Sequence, residues 1–479
     1  METLQRTANR GSISTGYDID NSLKFEEDNS ENITTTNQAA GDRKTWTFSA
    51  WIKRTDITYD YATIFGAEFT IIKFLGDDRL GLELYNGTYY SLITTQKFRD
   101  TSAWYHIVAV CDTTQATASE RSKLYVNGER VTVFDTENSP PLNSEFAIGQ
   151  AGAAGSGAWL RLGQFFAGSD YFSGYMAEVH YLNGTAAQAS DFGEYDSDSG
   201  IWIPKEYTGG GYGTQGFYYK FDNSANLGED SSGEGHDANS INNITAADQA
   251  TDTPTNNFAT LNPLVQYLPD GAYSFITEGA TKARSTQFDV FYTYASTFGV
   301  TSGKWYAEFE YEGSQADNLV GILDIDAVVP YNSRLGQAGA WSVGFYQSNG
   351  TLYVTSDSGV TSTPSWGASA ADGDIISVAL DMDNYFVYFA KNGTWQNSGV
   401  PTSGATGTGG VAFDSNKTVG IGCSTYALSA DGIIFTNLGG YTAGTISSAA
   451  TDQSGYGTFE YAPPTGYYAL CTKNLAEYG

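Results

Sequence analysis

Apolar and polar residues alternate along the segment from Arg43 to Arg54. The apolar positions are Trp46, Phe48, Ala50 and Ile52, and the positions between them are Thr47, Ser49, Trp51 and Lys53. A period of two predicts a β-strand, because alternate side chains of a strand share one face. The apolar face suits the core of a two-sheet sandwich, and the other face suits an outer surface that a loop partly covers. Two later runs, 103–110 and 122–131, have the same character, and Asn127 with Gly128 predicts a hairpin turn.

Five motifs in the first half of the chain follow one another in a characteristic order. They are Thr47–Ile52, Trp104–Val108, Lys123–Gly128, Phe146–Gly149 and Tyr171–Val179. In order and spacing the series resembles a laminin-G or concanavalin-A-like jelly roll. The resemblance implies an antiparallel β-sandwich, but lectins, adhesion modules, glycanases and virion proteins all use this fold.

Alternation returns in the second half, where residues 302–312 place aromatic or small side chains between carboxylates. The runs Trp341–Phe345, Gly373–Asp381 and Tyr385–Gly393 follow. This series resembles the SPRY domain, another antiparallel sandwich, in which a Gly-Asp pair opens a strand and an Asn-Gly pair closes a hairpin. We therefore expect an all-β chain of two antiparallel β-sandwiches in series.

The length of 479 residues predicts two or three domains, since one core rarely grows that large. The expected divisions are an ordered N-terminal arm at 1–16, a laminin-G/concanavalin-A-like jelly roll at 17–205, a Gly/Asn/Asp-rich connector at 206–265, a SPRY-like sandwich at 266–440 and a C-terminal packing tail at 441–479. The tail is too apolar to be free, so we expect it to pack on a domain or on a neighbouring chain.

The order of motifs over nearly the whole chain resembles a family of tailed-bacteriophage proteins that are usually taken to be virion structural or fibre proteins. The motifs that carry this resemblance are the 43–47 run, Asp191–Glu194 with Trp202 and Lys205, Gly213–Tyr218, Asp252–Asn256, Ala259–Pro263 and Ala462–Gly466. The resemblance implies a virion context and does not specify a mechanism.

The charge balance excludes some partners. Lysine and arginine number 24 against 54 aspartates and glutamates, a formal net charge of −30. Such a surface repels nucleic acid and anionic membranes, so phosphate contacts cannot supply the affinity for a partner. Solubility in a salty medium is the ordinary interpretation of this acidity, and cation binding is the alternative.

The cysteines and the N-terminal sequence indicate where the chain is made. Cys111, Cys423 and Cys471 are isolated in apolar runs and odd in number, which predicts buried thiols and not disulfides or a metal cluster. The segment Met1–Arg6 opens a polar stretch without an apolar core of signal-peptide length, and no apolar run is long enough to span a membrane. We expect synthesis in a host cytoplasm and release by a route such as cell lysis.

Three carboxylates could form a catalytic pair. Glu308, Glu310 and Glu312 share one face of a predicted strand, as the acids of a jelly-roll glycanase must. The glycanases of that fold have an aspartate at the middle position, where this chain has Glu310. A solvated outer face is the alternative.

The three histidines, His106, His180 and His236, are far apart in sequence. The sequence shows no nucleophile elbow and no paired Cys/His spacing that would join them to a catalytic or metal site.

The acidic loop Glu229–Asp237 is a candidate calcium site, because hard oxygen ligands crowd a chain bent by glycine. It resembles the loop near the calcium site of many laminin-G-like domains, with Glu234 in place of an asparagine. Asp230 and Asp237 are the first ligand candidates and Asp222 is the third. A solvent loop held by turn chemistry is the alternative.

A sugar site needs exposed aromatic rings beside polar groups, and the sequence offers several candidates. They are Tyr85–Tyr90, Tyr207, Tyr212 and Trp366. Tyrosine is frequent in this chain, with 34 residues, so packing is an alternative role for each of them.

Together these patterns predict a non-enzymatic bacteriophage virion structural protein, a tail fibre or appendage subunit that binds a host cell-surface glycan or protein. The alternatives are a capsid decoration or head fibre protein, and a polysaccharide depolymerase that uses Glu308 and its neighbours. We expect other virion proteins as partners and a homo-oligomer, first a trimer. We expect no required cofactor, calcium being the one candidate, and no binding to nucleic acid or insertion into membranes.

Overall fold

The structure is a computed structural model, and its described residues fall into two compact units. The described residues are 16–35, 39–57, 61–151, 159–265, 275–285, 287–313, 317–337, 341–356, 359–428 and 431–479. The first unit ends at Thr255 and the second begins at Asn256. The expected N-terminal arm lies outside the described residues, except for Gly16.

The first unit is built almost wholly from strands. In chain order β1–β18 are Ser22–Phe25, Asn32–Thr35, Thr45–Arg54, Tyr61–Ala67, Thr70–Leu75, Arg79–Tyr85, Tyr89–Lys97, Trp104–Asp112, Ser122–Val126, Glu129–Arg130, Phe134–Glu137, Leu160–Leu162, Gly174–Asn183, Gly193–Tyr195, Trp202–Pro204, Phe217–Tyr219, Ser240–Asn242 and Gln249–Ala250. Short 3₁₀ turns lie at Ala118–Glu120, Ala189–Asp191 and Ala246–Asp248.

Two antiparallel sheets form a sandwich in the described part of this unit. One has the order β10-β9-β8-β3-β13-β1-β18, with β16 also paired to β13, and the other has the order β11-β7-β6-β5-β4-β12-β2-β17. The rings of Phe48 on β3 and Phe65 on β4 stack with centroids 4.6 Å apart, so the core lies between the sheets. The segment 206–255, expected to be part of a connector, contributes β16, β17 and β18 to these sheets.

The central strand β3 is buried on both faces, and not only partly covered on the outer one. Trp51 is 4% exposed and Lys53 is inaccessible to solvent, although both lie on the face opposite the core. A second apolar cluster that includes Val108, Leu182 and Phe192 packs on this outer face. The alternation predicted the strand, but a cover of this extent depends on segments far away in the chain.

The second unit is also a β-structure. In chain order β19–β34 are Leu261–Asn262, Ile276–Thr277, Lys282–Ser285, Phe291–Ser296, Lys304–Glu312, Leu319–Asp324, Ser342–Tyr346, Leu352–Ser356, Gly359–Thr363, Ile375–Asp381, Phe386–Lys391, Thr394–Trp395, Val411–Ala412, Val419–Tyr426, Gly432–Asn437 and Tyr468–Ala469. Helix α1 is Thr472–Tyr478, and 3₁₀ turns lie at Gln396–Ser398 and Pro401–Thr406.

Its strands form two sheets as well. One has the order β19-β22-β32-β24-β25-β26-β27, and the other has the order β20-β21-β33-β23-β28-β29-β30, with β31 on β29 and β34 on β23. Phe345 on β25 and Phe389 on β29 stack at 5.6 Å between the sheets. The prediction of an all-β chain with antiparallel sandwiches is confirmed.

The C-terminal tail packs on its own unit. Strand β34 lies parallel to the central strand β23, and Phe459 and Tyr467 join the buried rings of Tyr306 and Tyr388. No helix among the described residues has the length and apolar character needed to cross a membrane.

Candidate functional site

Five aromatic rings meet on the surface of the first unit, and we call them the aromatic cluster: Phe69, Tyr85, Tyr89, Phe165 and Phe166. The Phe69 ring contacts those of Tyr85 and Phe166 at centroid distances of 5.1 and 4.8 Å. Tyr85 contacts Tyr89 at 4.6 Å, and Phe165 contacts Phe166 at 4.7 Å. Edge-on and tilted contacts of this kind fix the rings relative to one another.

Three turns bring these rings together. Phe69 lies in the tight turn between β4 and β5, where Glu68 has a φ of 48°. Tyr85 and Tyr89 pair across the turn of the β6–β7 hairpin. Phe165 opens a turn closed by hydrogen bonds to Ser169 and from Gly168. Turns suit such rings, since a turn exposes side chains that a strand interior would bury.

The aromatic cluster is open to solvent and has polar groups beside it. Tyr89 is 47% exposed, and the other four rings are half-buried. Burial and the neighbouring Glu83 raise the pKa of Tyr89, so its hydroxyl stays protonated and can donate a hydrogen bond. Exposed rings beside hydroxyl and carboxylate groups can stack on the apolar face of a sugar and bind its hydroxyls.

The other aromatic candidates from the sequence have packing roles. Tyr207 stacks on Phe192 at 4.9 Å, and the hydroxyl of Tyr212 lies 2.9 Å from Nδ1 of His180. Trp366 packs edge-on against Phe389 at 5.8 Å. Of the aromatic candidates named from the sequence, those in the Tyr85–Tyr90 turn therefore form an exposed group of rings.

His106 and His180 are buried on the outer face of the first sheet. The indole of Trp202 donates to Nδ1 of His106 at 3.0 Å, which leaves the ring proton on Nε2 to donate to Ser49 Oγ at 2.9 Å. Burial, with a smaller effect from His180, lowers the pKa of His106 to about 3. A neutral, doubly hydrogen-bonded imidazole stabilises the covering segment.

The acidic loop 229–237 is held by its own hydrogen bonds. Asp230 Oδ1 accepts from the backbone N–H groups of Tyr218 and Ser232, and Oδ2 accepts from the Ser232 hydroxyl and the His236 N–H. Asp237 accepts from the Asp230 N–H at 2.8 Å. This is the turn chemistry that the sequence offered as the alternative to a metal site.

Asp222 is not part of this arrangement. Its carboxylate lies 3.4 Å from the ammonium of Lys220. In the part of the chain that the structure describes, no three acidic, histidine or cysteine side chains converge as metal ligands. Calcium binding at Asp230 and Asp237 stays a prediction.

Glu308 lies under the tail and not in a cleft. It is 2% exposed, and its carboxylate accepts from the N–H groups of Glu460 and Tyr461, both at 2.8 Å, and from the hydroxyl of Tyr306 at 2.9 Å. Burial raises its pKa to about 7, against the effect of these donors.

The two neighbouring carboxylates are also occupied. Glu310 accepts from the backbone and hydroxyl of Thr445, and Glu312 lies 3.8 Å from Lys282. The cavity that Glu308 and Glu310 line has a volume of about 10 Å³, which is room for no more than a water molecule. With the tail segment packed over Glu308 and Glu310, a sugar therefore has no space between these two carboxylates.

Cys111, Cys423 and Cys471 are buried and free, and burial raises the pKa of each thiol. They are unreactive core side chains.

Sequence reasoning missed Phe69, Phe165 and Phe166, and it missed a groove around Arg334 on the second unit. One signal was available for the pair Phe165-Phe166, which lies between Gly163 and Gly168 and is therefore in a turn-rich segment. Nothing local marks Arg334, because its aromatic neighbours come from separate strands.

Comparisons with known proteins address the fold. No curated protein matches the chain. Among solved structures, the SPRY domain of human HERC1 is 18% identical, with 34% of this chain and 91% of that chain covered and a TM-score of 0.26. A putative carbohydrate binding protein from Bacteroides ovatus is 19% identical over 47% of this chain and 59% of its own, with a TM-score of 0.32.

A pentraxin from Limulus polyphemus is 16% identical over 35% of this chain and 78% of its own, with a TM-score of 0.25. At these scores none of the three structures assigns a ligand to this chain. Residues 27–191 match the Laminin_G_3 family model, described as the concanavalin A-like lectin/glucanases superfamily. That segment of the first unit therefore has the lectin-like fold that its motifs resemble.

Proposed function

We propose that the chain is a non-enzymatic binding protein that attaches to a cell-surface glycan through the aromatic cluster of its first unit. The observation that carries this proposal is the meeting of five partly exposed rings on three turns of a lectin-like sandwich. Rings held by packing lose little conformational freedom when a sugar stacks on them, which favours binding.

A binding role also fits the state of the carboxylates on β23. Glu308 and Glu310 are occupied by hydrogen bonds from the tail segment, and a sugar-cleaving pair needs two acids about 5–10 Å apart around an open site. The proposal requires no cofactor.

We further propose, from the order of motifs along the chain, that the protein is a bacteriophage virion component, a tail fibre or appendage subunit. Other virion proteins and further copies of the chain, first as a trimer, are its proposed partners. Several copies on one particle would multiply weak sugar contacts into firm attachment. A density map of the purified phage particles tests this assignment. A map without density for the chain would refute it.

The binding proposal is tested with the purified full chain on an array of bacterial surface polysaccharides. We expect Tyr89→Ala and Phe166→Ala each to weaken binding about tenfold or more, since the loss of a central aromatic contact costs about 1.4 kcal/mol or more. The matched control is Val133→Ala, an exposed apolar residue of the same unit outside the aromatic cluster. Melting curves of all three variants show whether they fold.

Two results would contradict the proposal. One is binding to the array that both aromatic variants retain in full. The other is a fall in the molecular mass of a bound polysaccharide during incubation, because it would show cleavage.

A further inference from the structure

The second unit carries an open groove of about 450 Å³, which is within the range of about 300–1,000 Å³ usual for ligand sites. Its walls come from the start of β22, the loop 332–337, strands β26 and β27 and the end of β32. It lies in the second unit and shares no residue with the aromatic cluster. Nothing in the proposed function uses it.

The loop that forms one side of the groove is held in place. The Leu335 N–H donates to Ser424 Oγ at 3.0 Å, and the Gly336 N–H donates to Ser342 Oγ at 2.8 Å. Gly336 has a φ of 72°, and a β-carbon there would approach the side chain of Tyr353 to 2.2 Å. Asn332 accepts from the Phe291 N–H at 2.9 Å. The groove is thus preorganised, so ligand binding needs little reordering.

Arg334 is the cation of this groove. Its guanidinium carbon lies 4.1 Å from the ring centroid of Tyr353, and 5.6 and 5.7 Å from those of Tyr346 and Phe291. These rings restrict the guanidinium group through cation–π contacts. Within the described residues its Nη1 atom is shielded from water and has no hydrogen-bond partner.

Among the described residues, most other arginines have a carboxylate partner. Six pair with carboxylates: Arg43, Arg54, Arg79, Arg99, Arg130 and Arg284. Arg121 and Arg161 do not, but both donate hydrogen bonds to backbone carbonyls. Acidic side chains outnumber basic ones by more than two to one, so internal partners are abundant. In the described part of the chain, Arg334 pairs with none of them. Its Nε and Nη2 nitrogens, unlike the shielded Nη1, can offer two parallel donors to a carboxylate from outside.

The rest of the lining suits hydroxyl groups and an apolar ring face. The amide nitrogens of Asn332 and Gln337 donate no hydrogen bond within the described structure, and both side chains are exposed. Asp289 accepts from the Tyr426 hydroxyl at 2.9 Å and can accept from a further hydroxyl. Tyr353 and Tyr426 are half-buried and line the groove with their rings.

From this combination we propose that the groove binds an acidic sugar residue, with the sugar carboxylate on Arg334, its hydroxyls on Asn332, Gln337 and Asp289, and its ring against the tyrosines. A phosphate ion would leave the rings unused and would meet the negative charge of Asp289. An acidic sugar uses the cation, the carboxylate and the rings together. The site is independent of the aromatic cluster.

Calorimetry of the full chain with tri-galacturonic acid tests the proposal. The matched ligand is the trimethyl ester, which keeps the rings and hydroxyls but removes the charges. The net charge of −30 repels an anion at long range, so the titration is made at about 0.15 M salt, where the screening length is about 8 Å. We expect the acid to bind at least tenfold more tightly than the ester.

Variants then locate the site. We expect Arg334→Gln to weaken binding of the acid at least tenfold, and Arg334→Lys to weaken it less, because lysine keeps the charge but loses the fork. Arg284→Gln is the control, since Arg284 lies in the same unit and pairs with Asp431. It should bind the acid as the unchanged chain does.

Three outcomes would overturn the proposal. The first is equal affinity for the acid and its ester, a comparison that needs no variant to fold. The second is undiminished binding of the acid by a folded Arg334→Gln variant. The third is tighter binding of a poly-glutamate peptide than of the acid, with competition between the two. That result would assign the groove to acidic peptides.

Discussion

At the scale of single residues, buried polar groups in the first unit are matched to specific partners. The Lys53 ammonium lies 2.6 Å from the Asp252 carboxylate, and both groups are almost fully buried. The Trp104 indole donates to the same carboxylate at 3.1 Å. His106 is the corresponding neutral case, with both ring nitrogens hydrogen-bonded. Such groups stabilise the fold only in one protonation state.

The protonation of His106 predicts a loss of stability in acid. Its pKa is about 3 in the folded chain and about 6.5 in the unfolded chain, so the unfolded state binds the proton more readily. The contribution of His106 is complete above pH 6.5 and falls as the pH drops towards 3. Between pH 7 and pH 5 we expect a loss of about 2 kcal/mol, at about 1.4 kcal/mol per pH unit below 6.5.

The measurement is the free energy of unfolding at pH 7 and pH 5 for the unchanged chain and for His106→Gln. Glutamine can accept from the Trp202 indole and donate to Ser49, but it does not titrate. The difference between the two proteins isolates His106 from other titrating groups. Equal pH dependence in both would contradict the prediction.

At the scale of elements, strand β23 organises the second unit through both of its faces. One face packs Trp305, Ala307 and Phe309 in the core, and the other presents the buried Glu308 to the tail. The backbone N–H groups of Glu460 and Tyr461 in the tail donate to the Glu308 carboxylate and not to a neighbouring strand. The side-chain carboxylate thereby takes the place of the backbone carbonyls that would accept these hydrogen bonds in a sheet.

We predict that Glu308→Ala loosens the tail. It leaves the N–H groups of Glu460 and Tyr461 without acceptors, at a cost of about 1–3 kcal/mol each, so a loss of about 2–6 kcal/mol in the stability of the second unit is expected. The measurement is amide hydrogen exchange of residues 458–471. Glu312→Ala is the control, because Glu312 is 45% exposed and should change stability by at most about 0.5 kcal/mol.

Slow exchange of the tail in the Glu308→Ala variant would contradict this role. The carboxylate would then be replaceable by water, and the apolar contacts of Phe459 and Tyr467 alone would hold the segment.

At the scale of the whole molecule, the chain comprises two compact units, each with its own core between two sheets. The core of the first unit takes residues from as far apart as Leu23 and Ile244, and that of the second from Ala259 to Leu475. Each unit therefore contains the sequence that its core needs, which is the usual condition for independent folding.

We predict that residues 16–255 and 256–479 fold when they are produced separately. Each should show a dispersed amide spectrum and one cooperative thermal transition. A fragment that stays collapsed without dispersed signals would show that its core depends on the rest of the chain.

Much of this architecture is predictable from the sequence. The alternation around Phe48 and Trp51 predicts β3, the Asn127-Gly128 pair predicts the turn between β9 and β10, and the isolated cysteines predict buried thiols. These inferences succeed because the period of a strand and the geometry of a turn depend on the local backbone.

The candidate sites depended on tertiary structure. Tyr85 and Phe166 are far apart in sequence, yet turns from different strands place them in one cluster, while Tyr207 and Tyr212 are packed away. The sequence alone determined the strands, the core faces and the acidic surface, since each follows from local spacing or composition. The tertiary structure decided which outer face is covered, that Glu308 meets the tail and that Arg334 has no carboxylate partner among the described residues, because those outcomes depend on which distant segments pack together.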